Sequence, residues 1–317
     1  MGVKSTQTTG VLLMAYGSPE SPDQMEAYLL DVRGGRPTPP SLVEEIKERY
    51  AQIGGRSPLL DITRRQAAAL EAELNHRNAR DKVHYHAYVG MRHWEPRIAE
   101  AVAQITADGV EKIVAMVMAP HSSRMSSGMY FARLDEAMAE QNAKIQVTRI
   151  PSWHDHPGLI EAITRHACDA LEKFGDQDPY IVFTAHSLPS RILAQGDPYD
   201  AQLRETVVLV AKQMNWPLGR FQFCYQSAGQ SGDAWMGPPI EHVVVQLADL
   251  GEKNILVVPV GFVCDHVEVL YDIDIVARGL AASRGTRLER SASLNDSPVF
   301  IRALADLVES HANLAVD

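Results

Sequence analysis

The sequence has few cysteines and no long apolar run, and each shortage excludes a class of protein. Its 317 residues include three cysteines, Cys168, Cys224 and Cys264. No CxxC pair occurs, so neither a zinc knuckle nor a disulfide framework is indicated. No apolar run approaches the roughly 20 residues that a bilayer-spanning helix needs. The first ten residues lack the apolar core of a signal peptide, and we therefore expect a cytoplasmic protein without a transmembrane segment.

Positive charge is also in short supply. Thirty Lys and Arg residues face 40 Asp and Glu residues, which gives a formal net charge of −10 at pH 7. A general nucleic-acid binder needs a basic face, so this balance argues against nucleic acid as a partner. An acidic small-molecule substrate stays possible, because a few local arginines can outweigh the overall sign.

Several common catalytic motifs are missing as well. The chain contains no G-x-S-x-G elbow, no Walker loop, no G-x-G-x-x-G and no HExxH. His186 and Ser187 are adjacent, but neighbours on a strand point to opposite faces and form a poor nucleophile–base pair. Hydrolysis by a serine nucleophile, nucleotide-dependent chemistry and zinc proteolysis are therefore all weakly supported.

Apolar runs typical of buried strands recur along the chain and alternate with segments that have helical spacing. The runs cover residues 11–16, 83–90, 112–120, 144–150, 180–186, 220–226 and 254–262. Strands that alternate with helices predict parallel sheets with crossover helices. We therefore expect an α/β protein with Rossmann-like sheets flanked by helices.

The chain also repeats itself. "VLLMAYGSP" at 11–19 resembles "IVFTAHSLP" at 181–189, and a second pair of similar segments follows in the same order. Two similar domains are predicted, an N-terminal one over residues 1–152 and a C-terminal one over 153–296. We expect the last helix, about 297–317, to pack on the first domain.

Polar side chains follow several of the predicted strands. Tyr16 and His186 occupy matching places in the repeat, and His93, His121 and Glu268 follow other strands. Open parallel sheets bind ligands at the carboxyl ends of their strands. We therefore expect these groups to line one cleft between the two domains.

The pairing of His186 with Glu268 suits proton transfer or metal binding. A histidine beside a carboxylate can accept a proton near neutral pH, and the same pair can ligate a divalent metal. Asp272 lies four residues after Glu268, so a helix starting after His266 would place both acids on one face. That face is either a path for protons or hydrated cations or a solvated first helical turn.

Six motifs together resemble the ferrochelatase family, whose members insert ferrous iron into a porphyrin. They are "MAYGSP", "DVRGGRPTP", "RYAQIGGRSPL", "TAHSLP", "WMGP" and "VGFVCDHVEVLYDID", and the resemblance covers about residues 10–310. It implies a lyase of haem biosynthesis with the class II chelatase fold, two Rossmann-like domains with the porphyrin in the cleft between them.

The resemblance assigns a role to each residue of the predicted centre. His186 resembles the metal-site histidine of the family, and Glu268 resembles its acidic partner. Two pyrrole protons must leave when iron enters the ring. His186 would take a proton, and Glu268 would balance the charge or pass the proton on, with Asp272 as a further step in a proton or metal path.

Tyr16 resembles the tyrosine of the monoderm-type branch, which uses coproporphyrin III and releases iron-coproporphyrin (coproheme). It would lie on the opposite face of the ring from His186. Coproporphyrin carries four carboxylates, and the resemblance implies that Arg33, Arg49, Ser57 and Tyr130 contact them. Arginine suits this task because its forked donors match a carboxylate.

The sequence departs from the family pattern at two points. Val276 stands where relatives carry another acid, which puts an accessory cation site in doubt. Three scattered cysteines cannot supply the four clustered ligands of an iron–sulfur cluster, so we expect no cluster. Cys264, although it lies inside the motif, is expected to serve packing, and His266 is expected to be structural or to support the metal-binding residues.

The expected substrates are therefore Fe²⁺ and a porphyrin, with no tightly bound cofactor. We expect a monomer that hands its product transiently to a downstream enzyme of haem synthesis. Three alternatives stay open: the same reaction on protoporphyrin IX, a cobalt or nickel chelatase acting on another tetrapyrrole, and a non-catalytic haem or porphyrin carrier. A carrier would have no need of Glu268 and Asp272 behind His186.

Overall fold

A computed structural model describes residues 7–80, 83–229 and 232–314. The strands are β1 (Gln7–Ala15), β2 (Val83–Met91), β3 (Lys112–Val117), β4 (Gln146–Ile150), β5 (Tyr180–His186), β6 (Phe221–Gln226), β7 (Asn254–Pro259) and β8 (Arg287–Arg290). The α-helices are α1 (Met25–Val32), α2 (Pro40–Gln52), α3 (Leu59–Arg77), α4 (Ile98–Ala107), α5 (Ser127–Glu140), α6 (Pro157–Leu171), α7 (Arg191–Ala194), α8 (Tyr199–Gln213), α9 (Ile240–Asp249), α10 (Arg278–Ser283) and α11 (Pro298–Leu314). Short 3₁₀-helices cover Pro22–Gln24 and Glu172–Phe174, and a π-helix covers Glu268–Ala277.

The strands form two parallel sheets that share one topology. The first sheet has the order β2-β1-β3-β4, and the second has the order β6-β5-β7-β8. The central strands consist of apolar residues that are fully buried, such as Val11–Met14 in β1 and Ile181–Phe183 in β5. Strands covered by helices on both faces have this continuous apolar character. The predicted α/β class with two similar Rossmann-like sheets is confirmed.

Helices complete a hydrophobic core on each sheet. In the first, Val102 and Ile105 of α4 and Leu134 of α5 pack against side chains of β1 and β3. In the second, the packing partners of β5 and β7 include Val244 of α9 and Ile273 of the π-helix. The π-helix is therefore held to its sheet by an apolar face.

The described residues divide into two compact units. The first unit comprises those of Met1–Pro39, Leu59–Trp153 and Asn295–Asp317, and the second those of Pro40–Pro58 and His154–Leu294. The division differs from the predicted boundaries in one segment. Residues 40–58 lie within the predicted N-terminal domain but group with the second unit. Helix α2 contacts the π-helix, and the Arg49 guanidinium lies 5.4 Å from the centre of the Tyr271 ring.

Helix α11 packs against α3 and also contacts β3 and β4, all in the first unit. Phe300 of α11 is fully buried and stacks on Trp153, with ring centres 6.1 Å apart. At the surface, Arg77 of α3 forms ion pairs with Asp306 and Glu309 at 2.6 and 3.0 Å. The final helix thus belongs to the first unit, although it follows the second unit in sequence.

In both sheets the strand order has a switch point between the two central strands, where the chain passes from one side of the sheet to the other. From β1 it moves outward to β2 and then crosses to β3 on the other side, and β5, β6 and β7 follow the same course. Ligands of open parallel sheets bind beyond the carboxyl ends of the strands at such a switch point. The topology therefore directs attention to the ends of β1 and β3 and of β5 and β7.

Within the described ranges, we find no helix with both the length and the apolar character needed to cross a membrane.

We predict that Phe300→Ala lowers the free energy of unfolding by about 3–5 kcal/mol, because it removes a large buried ring and leaves a cavity. Urea denaturation followed by tryptophan fluorescence measures this loss. The matched control is Arg302→Ala, an exposed position on the same helix, which should change stability by less than about 0.5 kcal/mol. Equal effects of the two substitutions would contradict the proposed anchoring of α11.

Candidate active site

A histidine and a glutamate meet at the switch point of the second sheet. His186 is the last residue of β5, and Glu268 begins the π-helix that follows β7. Nδ1 of His186 lies 3.0 Å from Oε2 of Glu268. The side chains are 30% and 33% exposed, respectively. The structure thus brings the two central residues of the sequence prediction into direct contact and leaves both accessible.

A glycine permits this contact. The backbone N–H of Gly261, just after β7, donates to the carbonyl of Thr184 at 3.2 Å. A Cβ atom at position 261 would lie 2.5 Å from Cβ of Ala185 and 2.9 Å from its Cα. Such distances are too short for any side chain, so only glycine lets the chain pass this close to β5.

The pair combines a more basic imidazole with a carboxylate that keeps its charge. Burial opposes protonation of the ring, but the charge and hydrogen bond of Glu268 outweigh it and raise the pKa of His186 above 6.5. For Glu268, burial acts to raise the pKa, whereas the neighbouring His186 and His266 hold that pKa well below its usual value of 4.5. His186 is therefore a stronger base than a free imidazole, beside a carboxylate that remains negative.

Hydrogen bonds from neighbouring elements fix the backbone on both sides of the pair. The hydroxyl of Tyr199 donates to the carbonyl of His186 at 2.9 Å, and Nε2 of Gln226 donates to the carbonyl of Glu268 at 2.9 Å. The sequence analysis missed both residues. Gln226 carried a signal, because it ends β6 and pairs in register with His186.

His266 also belongs to this arrangement. Its Nε2 lies 3.6 Å from Oε2 of Glu268, and its Nδ1 lies 3.1 Å from the carbonyl oxygen of Cys264. The ring therefore joins the loop after β7 to the carboxylate at the start of the π-helix. His266 contacts Glu268 rather than standing apart from it.

Asp272 lies further along the π-helix and behaves differently from Glu268. Its carboxylate accepts a hydrogen bond from the Ser227 hydroxyl. Burial is the main cause that raises the pKa of Asp272 to about 6; the charge of Glu268 adds to it, and the hydrogen bond from Ser227 opposes it. The sequence predicted an α-helix with the two acids one turn apart. In the π-helix, bonds from i to i+5 widen the turn, so four residues make less than a full turn.

A cavity of about 290 Å³ lies beside Asp272. Its lining includes Arg49, Gln226, Ser227, Glu241, Asp272 and Val276. Val276 contributes an apolar wall. The sequence analysis missed Glu241 of α9, whose charge also raises the pKa of Asp272. The Oε1 atom of Gln226 is buried and has no hydrogen-bond partner in the part of the chain that the structure describes.

The first unit places its strand-end residues around a buried histidine. Tyr16 directly follows β1 and is 40% exposed, with its ring centre 4.7 Å from that of His93. His93 Nδ1 lies 2.7 Å from Oδ1 of Asp31, whose other oxygen accepts from Arg97 at 2.8 Å. Burial lowers the pKa of His93 despite Asp31. Tyr16 thus presents a phenol beside an imidazole that is held by Asp31 and whose pKa burial lowers.

The predicted contacts to substrate carboxylates are divided between the units. Arg33 and Tyr130 lie in the first unit, and Arg49 and Ser57 lie in the second. Arg49 pairs with Glu45 at 2.5 Å, and the ring of Tyr130 lies 5.4 Å from the guanidinium of Arg92. Tyr130 and Ser57 are about one-twentieth exposed. The Arg33 Nε atom is buried and lacks a hydrogen-bond partner among the described residues. The substrate-binding role of these four residues stays a prediction.

Metal-binding groups outside the predicted centre are few in the described ranges. His154, Asp155 and Glu205 offer three ligand atoms within 4.8 Å of one another, with both acids exposed. Cys224 and Cys264 are buried, and Cys168 is exposed. Burial raises the pKa of the Cys264 thiol to about 12, which suits a packing role.

Comparison with known proteins gives a consistent result. The family model described as Ferrochelatase matches residues 8–312. The ferrochelatase of Herpetosiphon aurantiacus is 41% identical over 304 residues, which cover 95% of this chain and 98% of that relative. The coproporphyrin III ferrochelatase of Geobacillus thermodenitrificans is 38% identical over 306 residues and 95% of each chain.

Among solved structures, SirB from Bacillus subtilis with Fe³⁺ superposes with a TM-score of 0.58 and covers 98% of both chains. Its sequence identity is 12%, so this likeness concerns the fold alone.

We predict that Glu268→Gln lowers the pKa of His186. The substitution removes the negative charge that raises this pKa and leaves the opposing effect of burial in place. A pH titration by NMR of ¹⁵N-labelled histidine, with the His186 signal assigned from a His186→Asn variant, measures the change. The control is Glu205→Gln, which removes the carboxylate 2.9 Å from Nε2 of His154 and should leave His186 unchanged. An unaltered His186 titration in Glu268→Gln would contradict the electrostatic coupling.

Proposed function

The chain belongs to the ferrochelatase family, and on this premise we propose that its substrates are ferrous iron and coproporphyrin III. As a ferrochelatase it is a metal chelatase, a lyase of haem biosynthesis. The contact between His186 and Glu268 at the switch point carries the proposed mechanism. The proposed product is iron-coproporphyrin, formed with release of two protons.

The choice of porphyrin is supported by two observations. Relatives named coproporphyrin III ferrochelatase are 35–38% identical to this chain over about 95% of its length. Tyr16 directly follows β1, and it resembles the tyrosine of the branch that uses coproporphyrin. Other relatives of equal or higher identity are named simply ferrochelatase, so the substrate needs a direct test.

His186 is the proposed acceptor of a pyrrole proton. Its Nδ1 faces Glu268, which leaves Nε2 as the nitrogen that receives the proton from the porphyrin. Protonation makes an imidazolium, and the carboxylate 3.0 Å away stabilises it because opposite charges attract strongly in a half-buried site. Loss of the pyrrole protons gives the ring nitrogens the negative charge that binds Fe²⁺.

Asp272 is the proposed next stage for the departing proton. Its pKa of about 6 lets it accept and release protons near neutral pH, whereas Glu268 stays ionised. The Ser227 hydroxyl bonded to Asp272 and the adjoining cavity offer a way onward. The two acids of the π-helix would thus divide the work between charge stabilisation and proton transfer.

The four carboxylates of coproporphyrin require cationic or hydrogen-bonding partners. Arg33 and Arg49, with Ser57 and Tyr130, are the proposed contacts. Arg33 is suited to this because its buried Nε has no hydrogen-bond partner among the described residues. Arg49 is held by Glu45 and by the face of the Tyr271 ring, so its guanidinium is already oriented.

The substrate assignment is tested by comparing two porphyrins. Purified protein, anaerobic Fe²⁺ and either coproporphyrin III or protoporphyrin IX are mixed, and the porphyrin absorption is followed. We expect many turnovers with coproporphyrin III and slower insertion with protoporphyrin IX. Faster insertion into protoporphyrin IX would overturn the assignment. Stoichiometric binding without turnover would show a carrier instead of an enzyme.

We predict that His186→Ala lowers the rate of insertion by roughly 10²–10⁴-fold, the usual contribution of a positioned base. Binding of coproporphyrin, measured by fluorescence quenching, should persist, because the carboxylate contacts are intact. His84→Ala, at an exposed position of β2, is the control and should insert iron at the normal rate. Normal turnover in His186→Ala would remove His186 from the mechanism.

A further inference from the structure

Arg290, the last residue of β8, is the most heavily bonded arginine near the π-helix. Its Nε and Nη2 donate to the two carboxylate oxygens of Asp274 at 3.0 and 2.9 Å. Its Nη2 also lies 3.2 Å from Oδ1 of Asp265. The Arg290 side chain is 11% exposed. A bidentate, largely buried contact of this kind fixes direction as well as distance.

A serine ties the same groups together. Nη1 of Arg290 donates to the Ser293 hydroxyl at 3.1 Å, and that hydroxyl donates to Oδ1 of Asp265 at 2.7 Å. All nitrogens of the guanidinium are therefore engaged. Burial opposes ionisation of Arg290, but Asp274 and Asp265 outweigh it and raise its pKa further.

The two acids bracket the segment that carries Glu268. Asp265 lies three residues before Glu268 in the loop after β7, and Asp274 lies six residues after it in the π-helix. One guanidinium thus ties both flanks of this segment to β8. Strand β8 pairs with β7, and β7 pairs with β5. The contacts of Arg290 therefore hold the segment around Glu268 to the same sheet that carries His186.

The apolar packing of the π-helix fixes a different property of the helix from the Arg290 contacts. Val269, Ile273 and Ala277 are fully buried against the sheet and set how deep the helix lies. Apolar contacts are non-directional and tolerate small rotations of a helix. A bidentate ion pair does not, so it can set the rotation that aims Glu268 at His186.

We propose that Arg290 is a positioning residue of the active site, which orients Glu268 toward His186 by clamping Asp265 and Asp274 to β8. This inference rests on the role of Glu268 in the proposed function. Arg290 acts through the π-helix and touches neither substrate. Its loss changes the chemical step and leaves porphyrin binding intact.

Lysine is the decisive replacement. Arg290→Lys keeps the positive charge but loses the fork that reaches both oxygens of Asp274 together with Asp265. We expect kcat for iron insertion to fall by about 10-fold, the lower end for residues that orient a metal-site ligand, with the KM for coproporphyrin unchanged. The control is Arg287→Lys on the same strand, where the exposed Arg287 pairs with Glu289.

An NMR measurement distinguishes an effect of Arg290 on the orientation of Glu268 from an effect on the stability of the protein. The ¹⁵N chemical shifts of the His186 ring, measured at one fixed pH, report its hydrogen bond to Glu268. They should move in Arg290→Lys and stay constant in Arg287→Lys. Unchanged His186 shifts, or a change in melting temperature alone, would overturn the proposal. If Arg290→Lys does not fold, Ser293→Ala is the second variant: it loses the hydroxyl that bridges Arg290 and Asp265 but keeps the paired contact with Asp274. It should show the same shift at smaller amplitude, and the absence of that shift would overturn the proposal equally.

The experiment also separates this inference from the proposed function. Normal insertion by Glu268→Gln would remove Glu268 from the mechanism. A shifted His186 signal in Arg290→Lys would still support the clamp in that case. Reduced insertion by Glu268→Gln, with no effect of Arg290→Lys on the His186 signal, would keep the mechanism and reject the clamp.

Discussion

The contact between His186 and Glu268 holds an imidazole against a carboxylate where water is partly excluded. A carboxylate at 3.0 Å makes the imidazole more basic, and the imidazole keeps the carboxylate ionised. Much of the second unit serves this geometry. The parallel sheet places β5 beside β7, Gly261 lets the chain cross close to β5, and Tyr199 and Gln226 hold the two backbones.

The π-helix allows two acids of opposite character to share one element. Glu268 lies against two histidines and keeps its charge, whereas Asp272 is buried beside a serine hydroxyl and binds protons more readily. The two side chains have different partners, because Glu268 contacts His186 and Asp272 accepts a hydrogen bond from Ser227. A proton path through such a site needs two acids with different pKa values, because a carboxylate that stays ionised cannot take up and pass on a proton.

Much of this arrangement could be predicted from the sequence, and the omissions have physical causes. Apolar runs ending in His186 and preceding Glu268 predicted the sheet and the meeting of these residues. Strand β8 escaped notice because it is a four-residue edge strand in which three residues are charged. Residues 40–58 group with the second unit through contacts to residues far away in sequence, such as those of the π-helix, which a local pattern does not predict. The π-helix, Glu241 and the role of Arg290 depend on tertiary packing, which no local pattern encodes.

Gly261 shows how the lack of a Cβ atom can help to set the distance between two ionisable groups, here His186 and Glu268. A methyl group there would collide with Ala185 at 2.5 Å and push the loop after β7 away from β5. Electrostatic energy falls as charges separate, so the basicity of His186 is governed partly by the steric tolerance of a backbone that takes no part in proton transfer. Acid–base strength in this protein is in that respect a property of main-chain packing, and evolution or design could adjust it without altering any ionisable group.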